Sequence, residues 1–286
     1  MSRYQSISNR FRHLNIAEKI IAINVICFVL PFFIRTLLFL FNYPSEVLFD
    51  WFELSPNIST FIYRPWTLIT YGFFHSGFGH ILWNMVLLYF ASQLFLNLFS
   101  SQRFINVYFL GILLGGLVFL FSYAVFPVFS GRYPSMVGSS AGVMAVLIFC
   151  CTYTPEQEVR LLFFNLKLMY LGIALVGIDI LQIPSGNSGG HLAHIGGAAL
   201  GFLYASQLKK GTDIGSSFER LWIGIGSFFS SRRKMKTVHK SPTMRRPNAA
   251  DNHQKKIDAI LDKISVSGYE SLTKEEKEYL FKEGKK

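Results

Sequence analysis

The chain has 286 residues, of which 51% are hydrophobic and 16% aromatic, and its formal net charge is +11. With 29 phenylalanines, this composition is far from that of an average soluble domain and favours an integral membrane protein. Lys and Arg concentrate toward the two ends, so the positive charge flanks an apolar body and does not predict a nucleic-acid-binding surface.

Six apolar runs predict the fold class. A membrane-spanning helix needs about 20 mostly apolar residues, and such runs lie near residues 18–41, 74–98, 104–127, 136–154, 160–182 and 189–208. The first run is too long for a signal-peptide core and lacks a small-residue cleavage site, so it is predicted to remain as a span. The sequence therefore predicts an all-α membrane protein built as a six-helix bundle.

Basic residues predict the orientation of the spans. They precede the first span, follow the second and fourth spans, and continue after the sixth. Because short loops rich in Lys and Arg stay cytoplasmic, we expect both termini on the cytoplasmic side. No eukaryotic targeting peptide is recognisable, which favours a bacterial inner membrane. The basic residues concerned are Arg3, Arg10, Arg12, Lys19, Arg103, Arg160 and those of the C-terminal tail.

Composition divides the chain into four parts: a cytoplasmic N-terminus (1–17), the six-helix body (18–208), an amphipathic stretch with a basic linker (209–249) and a small cytoplasmic helical hairpin (250–286). The linker carries seven Lys or Arg residues over 231–247, so we expect it to contact anionic lipid headgroups.

Two loops of the body have distinctive compositions. The long loop 43–73 mixes apolar and acidic residues, which is typical of the bilayer interface. The short loop 183–190 contains Pro and several Gly, which predicts a mobile backbone and a hinge for a gate.

Few strongly hydrogen-bonding side chains lie inside the spans, where an unpartnered polar group is costly, so each is a candidate functional residue. His80 and Asn84 stand four residues apart on one helical face, where two donors can converge on an oxyanion. Ser140 lies among small residues near a helix start, where free N–H groups and the helix dipole favour negative charge.

His194 is the candidate base for Ser140. It comes just before Gly197-x-x-x-Gly201, a face without side chains that lets another helix approach closely. A serine nucleophile needs a base within hydrogen-bond reach. Three spans therefore supply a nucleophile, a base and oxyanion donors.

These motifs resemble those of the rhomboid family of intramembrane serine proteases. The family carries Gly-x-Ser-Gly or Gly-x-Ser-Ala, His-x-x-x-Asn and Ala-His-x-x-Gly-x-x-x-Gly motifs, and all three are present here within about residues 60–208. The resemblance implies a rhomboid-like bundle with a long interfacial loop between helices 1 and 2. It also implies a Ser-His dyad without an acid as third member. Its site would consist of Ser140 as nucleophile, His194 as base, an oxyanion hole of His80, Asn84 and the Ser140 backbone N–H, and the motif glycines Gly138, Gly197 and Gly201.

The sequence departs from the family pattern at two places. Met144 occupies the position four residues after the serine, where the family commonly has an aromatic residue that stacks on the histidine. A sulfur contact to the imidazole could replace that stacking. The family's Trp-Arg pair in the first loop is not matched, since Arg64 precedes Trp66.

Asp179 is the one acid that a span offers near the candidate site. It could orient His194, although a hydrogen-bonded structural role is the stronger expectation. Ser139 is interpreted as a packing residue beside the nucleophile.

The working hypothesis is an endopeptidase that cleaves transmembrane segments of other membrane proteins through an acyl-enzyme, with no cofactor, no metal and no nucleic-acid partner. A non-catalytic binder of transmembrane helices is the first alternative. A metal-ion transporter is the second, since His75, His80, His191 and His194 supply four imidazoles. No His-Glu-x-x-His motif occurs, which disfavours a metalloprotease.

Overall fold

The computed structural model describes residues 11–43, 50–161, 164–220 and 249–283. The chain divides into two compact units, Met1–Ser230 and Ser231–Lys286. The larger unit confirms the predicted six-helix membrane bundle. Three of its helices are long and apolar enough to cross a membrane, and α4 and α5 are apolar but shorter. The helices are α1 (Ile16–Leu40), α2 (Phe78–Leu96), α3 (Ser101–Val125), α4 (Ser140–Tyr153), α5 (Leu168–Gln182) and α6 (Ser188–Lys209).

Helix α4 is the centre of the bundle. Every residue from Ala141 through Cys151 is buried, and the helix packs against α2, α3, α5 and α6. By contrast, α1 exposes 71% of Phe32 and 79% of Phe39, as expected of a helix that faces lipid. The helix that carries Ser140 is therefore the one most shielded from the bilayer.

Glycines let α6 lie directly against α4. A Cβ at Gly197 would overlap the carbonyl oxygen of Ala141, and one at Gly201 would overlap that of Ala145. No residue with a side chain fits at either position unless the two helices move apart. This contact holds the helix of His194 against the helix of Ser140.

The predicted start of the fifth span at residue 160 is wrong. Residues Glu158–Leu161 (β1) and Phe164–Lys167 (β2) form an antiparallel hairpin, and α5 begins at Leu168. A helix from residue 160 would have carried Arg160, Asn165 and Lys167 into the membrane. In the hairpin Lys167 instead pairs with Glu156 at 2.6 Å. With these eight strand residues, the described part of the body departs from an all-helical fold.

Two other spans begin later than the apolar runs indicated. Helix α2 starts at Phe78 rather than 74, because the preceding Gly77 has extended backbone. Helix α4 starts at Ser140 rather than 136, because Gly138 adopts φ = +132°, which no helix accommodates. Both shifts place candidate site residues in or beside a first helical turn.

The described part of the loop between α1 and α2 contains short helices at Ile58–Tyr63 and Thr67–Thr70. The rings of Trp51 and Trp66 stack with centroids 6.1 Å apart, and the Arg64 guanidinium lies 4.2 Å from the Trp51 ring. Arg64 and Trp66 therefore both pack in this loop, although their order differs from the family pattern. Part of the predicted interfacial segment, residues 44–49, lies outside the described residues.

Polar contacts join the ends of three helices at one end of the bundle. Arg103, in the first turn of α3, donates two hydrogen bonds to Asp213, at 2.9 and 3.0 Å, just beyond α6. Lys209, the last residue of α6, donates to the carbonyl of Thr152 in α4 at 2.8 Å. The N-termini of α4 and α6, with Ser140 and the approach to His194, therefore face the opposite end.

The smaller unit contains α7 (Ala249–Ser267) and α8 (Lys274–Glu283). At the start of α8 the Thr273 backbone N–H donates to the Glu276 carboxylate at 2.9 Å, and the Glu276 backbone N–H donates to the Thr273 hydroxyl at 3.3 Å. A hydrogen bond from Lys263 lowers the pKa of the Glu276 carboxyl. The basic linker 231–247 lies outside the described residues, so its contact with anionic lipids stays a prediction.

Candidate active site

Ser140 and His194 meet between α4 and α6. The Ser140 Oγ lies 2.6 Å from His194 Nε2, which is a short hydrogen bond. Ser140 is the first residue of α4, so its backbone N–H has no partner within the helix and can donate to a ligand. The glycine contacts described above fix the distance between the two helices at this point.

Gly138 shapes the approach to Ser140. Its φ of +132° is in the region that favours glycine, and its N–H donates to the Tyr71 carbonyl at 2.9 Å. A Cβ at this position would lie 2.8 Å from His80 Nε2 and 3.5 Å from Ser140 Oγ. The first glycine of the serine motif therefore leaves the space between His80 and the serine open.

Hydrogen bonds at the start of α2 orient the two candidate oxyanion donors. The Ser76 backbone N–H donates to His80 Nδ1 at 3.4 Å, and the Ser76 hydroxyl lies 3.0 Å from the same nitrogen. Because Nδ1 accepts, the proton of a neutral His80 ring lies on Nε2, the nitrogen beside Gly138. Asn84 uses one amide hydrogen on the His80 carbonyl at 2.9 Å, which leaves its second hydrogen for the cavity.

A cavity of about 620 Å³ opens onto these groups. Its wall includes the segments 134–138 and 186–190. The first segment is held by two backbone hydrogen bonds between Leu54 and Met136, at 2.9 and 3.0 Å. The cavity is large enough for several residues of an extended peptide. Its polar side chains include His80, Asn84, Ser140 and His194.

Asp179 contacts the candidate base. Its Oδ1 lies 2.8 Å from His194 Nδ1 and 2.7 Å from His191 Nδ1. The resemblance implied a dyad with no third acid, yet this carboxylate lies within hydrogen-bond distance of the imidazole. A sequence signal was available: His191 and His194 are three residues apart on α6, and a short loop joins that helix to the end of α5.

The structure separates Ser139 from the base. The Ser139 side chain is fully buried, and its Oγ lies 3.3 Å from His75 Nε2. Met144 packs in a cluster with Ile148 and Ala198. Its proposed sulfur contact to the imidazole stays a prediction.

Among the described residues, one group of three could hold a metal ion: Asp179, His191 and His194, whose ligand atoms lie within 4.8 Å of one another. The distances from Oδ1 to the two nitrogens are 2.7 and 2.8 Å. Ligands on a tetrahedral zinc with bonds of about 2.0–2.1 Å are roughly 3.3 Å apart. The arrangement therefore fits hydrogen bonds better than metal coordination.

Family models match two segments of the chain. Residues 63–210 match the family model described as Rhomboid domain, and residues 248–283 match a family of unknown function (DUF6576). RHOMBOID-like protein 12, mitochondrial, from Arabidopsis thaliana is 35% identical over 160 residues, which are 52% of this chain and 48% of that protein.

Animal relatives match over a longer stretch. The human Presenilin-associated rhomboid-like protein, mitochondrial, is 30% identical over 193 residues, 65% of this chain and 46% of that protein. The chain thus spans about half the length of the curated relatives it matches. Because the Rhomboid domain model covers more than half of the 286 residues, this chain belongs to the rhomboid family.

Proposed function

We propose that the protein is an intramembrane serine endopeptidase that cleaves transmembrane segments of other membrane proteins. The observation that carries the proposal is the 2.6 Å contact between Ser140 Oγ and His194 Nε2, at the start of the most buried helix and open to a polar cavity. Family membership supports the same chemistry. His80 and Asn84 both line this cavity. Helix formation requires neither side chain, so their position at the cavity supports a role in the reaction.

The reaction follows from the arrangement of the groups. His194 Nε2 accepts the Ser140 hydroxyl proton as Oγ attacks the substrate carbonyl carbon. The resulting oxyanion accepts hydrogen bonds from the Ser140 backbone N–H, His80 Nε2 and the free amide hydrogen of Asn84. His194 then donates that proton to the leaving amine as the peptide C–N bond breaks, which leaves an acyl-enzyme. A water molecule that His194 deprotonates attacks the ester carbonyl, and His194 gives the proton to Ser140 Oγ as the ester bond breaks.

The substrate class follows from backbone hydrogen bonding. A peptide bond in an intact helix has its carbonyl engaged, and freeing that carbonyl in a bilayer is costly. The enzyme should therefore prefer segments in which Gly or Pro weakens the helix near the cavity. Small side chains should be preferred at the cut, because small residues surround Ser140.

Cleavage of a transmembrane reporter by the purified protein in lipid vesicles tests the proposal. We expect cleavage, and we expect a fluorophosphonate reagent to block it by attaching to Ser140, as located by mass spectrometry. Cleavage that continues after complete labelling, or a label on Ser139, would contradict the serine mechanism.

Asn84→Ala should lower kcat by roughly 10²–10³-fold, as expected for loss of one oxyanion donor. KM for the reporter should change little, because the donor acts on charge that develops in the transition state. Steady-state kinetics in vesicles provide both constants. Asn97→Ala, at the C-terminal end of the same helix, is the matched control. An equal rise in KM with unchanged kcat would assign Asn84 to substrate binding instead.

The same experiments distinguish two alternative functions. A non-catalytic binder of transmembrane helices would retain the reporter without cleaving it, and Ser140→Ala would bind it equally well. A metal-ion transporter would carry stoichiometric metal and move it into vesicles regardless of Ser140. The hydrogen-bond distances around Asp179 do not favour this second alternative.

We further propose a rhomboid of bacterial type in the inner membrane, with both termini cytoplasmic. The basic residues that follow α2 and α6 support this orientation, since Arg103 and Lys209 lie at the same end of the bundle. The relatives' names place them in mitochondria and chloroplasts. Reporter fusions at the two termini in a bacterial host test the orientation, and a periplasmic terminus would contradict it.

A further inference from the structure

We propose that Asp179 is a positioning residue for His194, so that the site works as a Ser140–His194–Asp179 triad. The inference rests on the proposed protease function and adds a third residue to its reaction. Asp179 comes from α5, whereas Ser140 and His194 come from α4 and α6. Each member of the triad is thus supplied by a different helix.

The contacts form one continuous chain. Asp179 Oδ1 lies 2.8 Å from His194 Nδ1, and His194 Nε2 lies 2.6 Å from Ser140 Oγ. The carboxylate uses one ring nitrogen of the imidazole, and the serine uses the other. Asp179 is only 7% exposed, so little water competes for the carboxylate.

The carboxylate would determine which nitrogen of His194 carries the proton. An ionised carboxylate only accepts hydrogen bonds, so it requires an N–H at Nδ1. The neutral ring then has its lone pair on Nε2, facing the Ser140 hydroxyl. When that hydroxyl transfers its proton, both ring nitrogens carry hydrogen and the imidazolium lies beside the negative carboxylate. Asp179 keeps its charge throughout and takes no proton.

His191 supplies a second contact to the same oxygen. Its Nδ1 lies 2.7 Å from Asp179 Oδ1, and its ring lies nearly perpendicular to that of His194, at an interplanar angle of 84°. Two donors from successive turns of α6 converge on one carboxylate oxygen. This second donor restricts where the carboxylate can lie, and so it supports the orientation of His194.

A purely structural role for Asp179 is the competing explanation. Helix α5 buries only Leu168, Gly172 and Asp179, so this carboxylate is its main polar attachment to α6. Loss of the contact could therefore loosen α5 without any direct effect on the base. The two explanations differ in whether kcat falls further than the loss of stability accounts for.

The test compares Asp179→Asn, Asp179→Glu and Asp213→Asn with the full-length wild type in vesicles. Asp213→Asn is the matched control, because it also removes a carboxylate that joins two parts of the bundle, but at the opposite end. Reporter cleavage gives kcat and KM, and thermal unfolding in detergent gives stability. We expect Asp179→Asn to lower kcat by roughly 10²–10⁴-fold with little change in KM. Asp179→Glu should recover a large part of that loss, because it restores a carboxylate.

Each outcome has a distinct meaning. If Asp179→Asn and Asp213→Asn lower stability and kcat in parallel, Asp179 is structural and the proposal is wrong. If Asp179→Asn is folded and as active as the wild type, the proposal is also wrong, while the Ser140–His194 dyad stands. If Ser140→Ala still cleaves the reporter, the proposed serine mechanism fails, independently of Asp179, and a wild type that never cleaves the reporter would contradict the protease function.

Discussion

Replacing Ser140 with alanine should lower the rate of reporter cleavage by about 10⁴-fold, to a residual rate that only long incubations measure. We expect the variant to keep the fold, because alanine is smaller than serine and the hydroxyl that is lost bonds to His194 at 2.6 Å within the described residues. A loss of that size corresponds to roughly 5.5 kcal/mol of transition-state stabilisation. Any residual cleavage would come from the oxyanion donors and substrate positioning. Product formation over long incubations, measured against empty vesicles, gives the residual rate of cleavage.

Ser139→Ala is the control for this prediction. Ser139 is adjacent in sequence, but its hydroxyl lies beside His75 and not beside the base. We expect it to retain activity within about tenfold of the wild type. Adding His194→Ala to Ser140→Ala should cost almost nothing further, since residues that act as one unit have strongly non-additive effects. Additive losses would indicate that the two residues act independently.

The spacing of polar residues within the apolar runs identified the helices that converge at the site. Four of the candidate residues, His80, Asn84, Ser140 and His194, line one cavity in the structure. Their positions were informative because few polar side chains lie inside the spans, so each of these residues was a candidate for a functional role. The assignment of roles to these residues stays a proposal until kinetics are measured.

Helix boundaries were harder to predict, for a physical reason. Hydropathy measures whether a segment is apolar, and it does not report backbone conformation. Gly138 lies inside an apolar run, yet its positive φ delays the start of α4 to Ser140. The segment 158–167 contains enough apolar side chains to extend a span, but residues 158–161 and 164–167 pair as two strands. Both features depend on local backbone geometry.

The contact of Asp179 with His194 could not be derived from spacing alone. The two residues are fifteen positions apart with a glycine-containing loop between them, and the loop determines whether the carboxylate reaches the imidazole. The few polar residues inside the spans limited the possible partners of Asp179, because an acid inside a span needs a hydrogen-bond donor. The choice among those donors required the tertiary structure.

Replacing Gly197 with alanine should destabilise the bundle and impair catalysis together. Any Cβ at this position overlaps the Ala141 carbonyl oxygen, a backbone atom that cannot swing aside. The two helices must separate, and overpacking of this kind typically costs about 1–3 kcal/mol. Because Ala141 follows Ser140 directly, separation also lengthens the contact between Ser140 and His194. Reporter cleavage and the midpoint of thermal unfolding in detergent measure the two effects.

Gly177→Ala is the matched control for Gly197→Ala. Gly177 also lies within a bundle helix, α5, but a Cβ there meets no atom within 4 Å. Alanine favours helix over glycine by about 1 kcal/mol, so the control should retain or slightly increase stability. A midpoint lowered by roughly 5 °C or more in Gly197→Ala, with none in Gly177→Ala, is the expected result. Equal behaviour of the two variants would show that close contact between α4 and α6 does not hold Ser140 against His194.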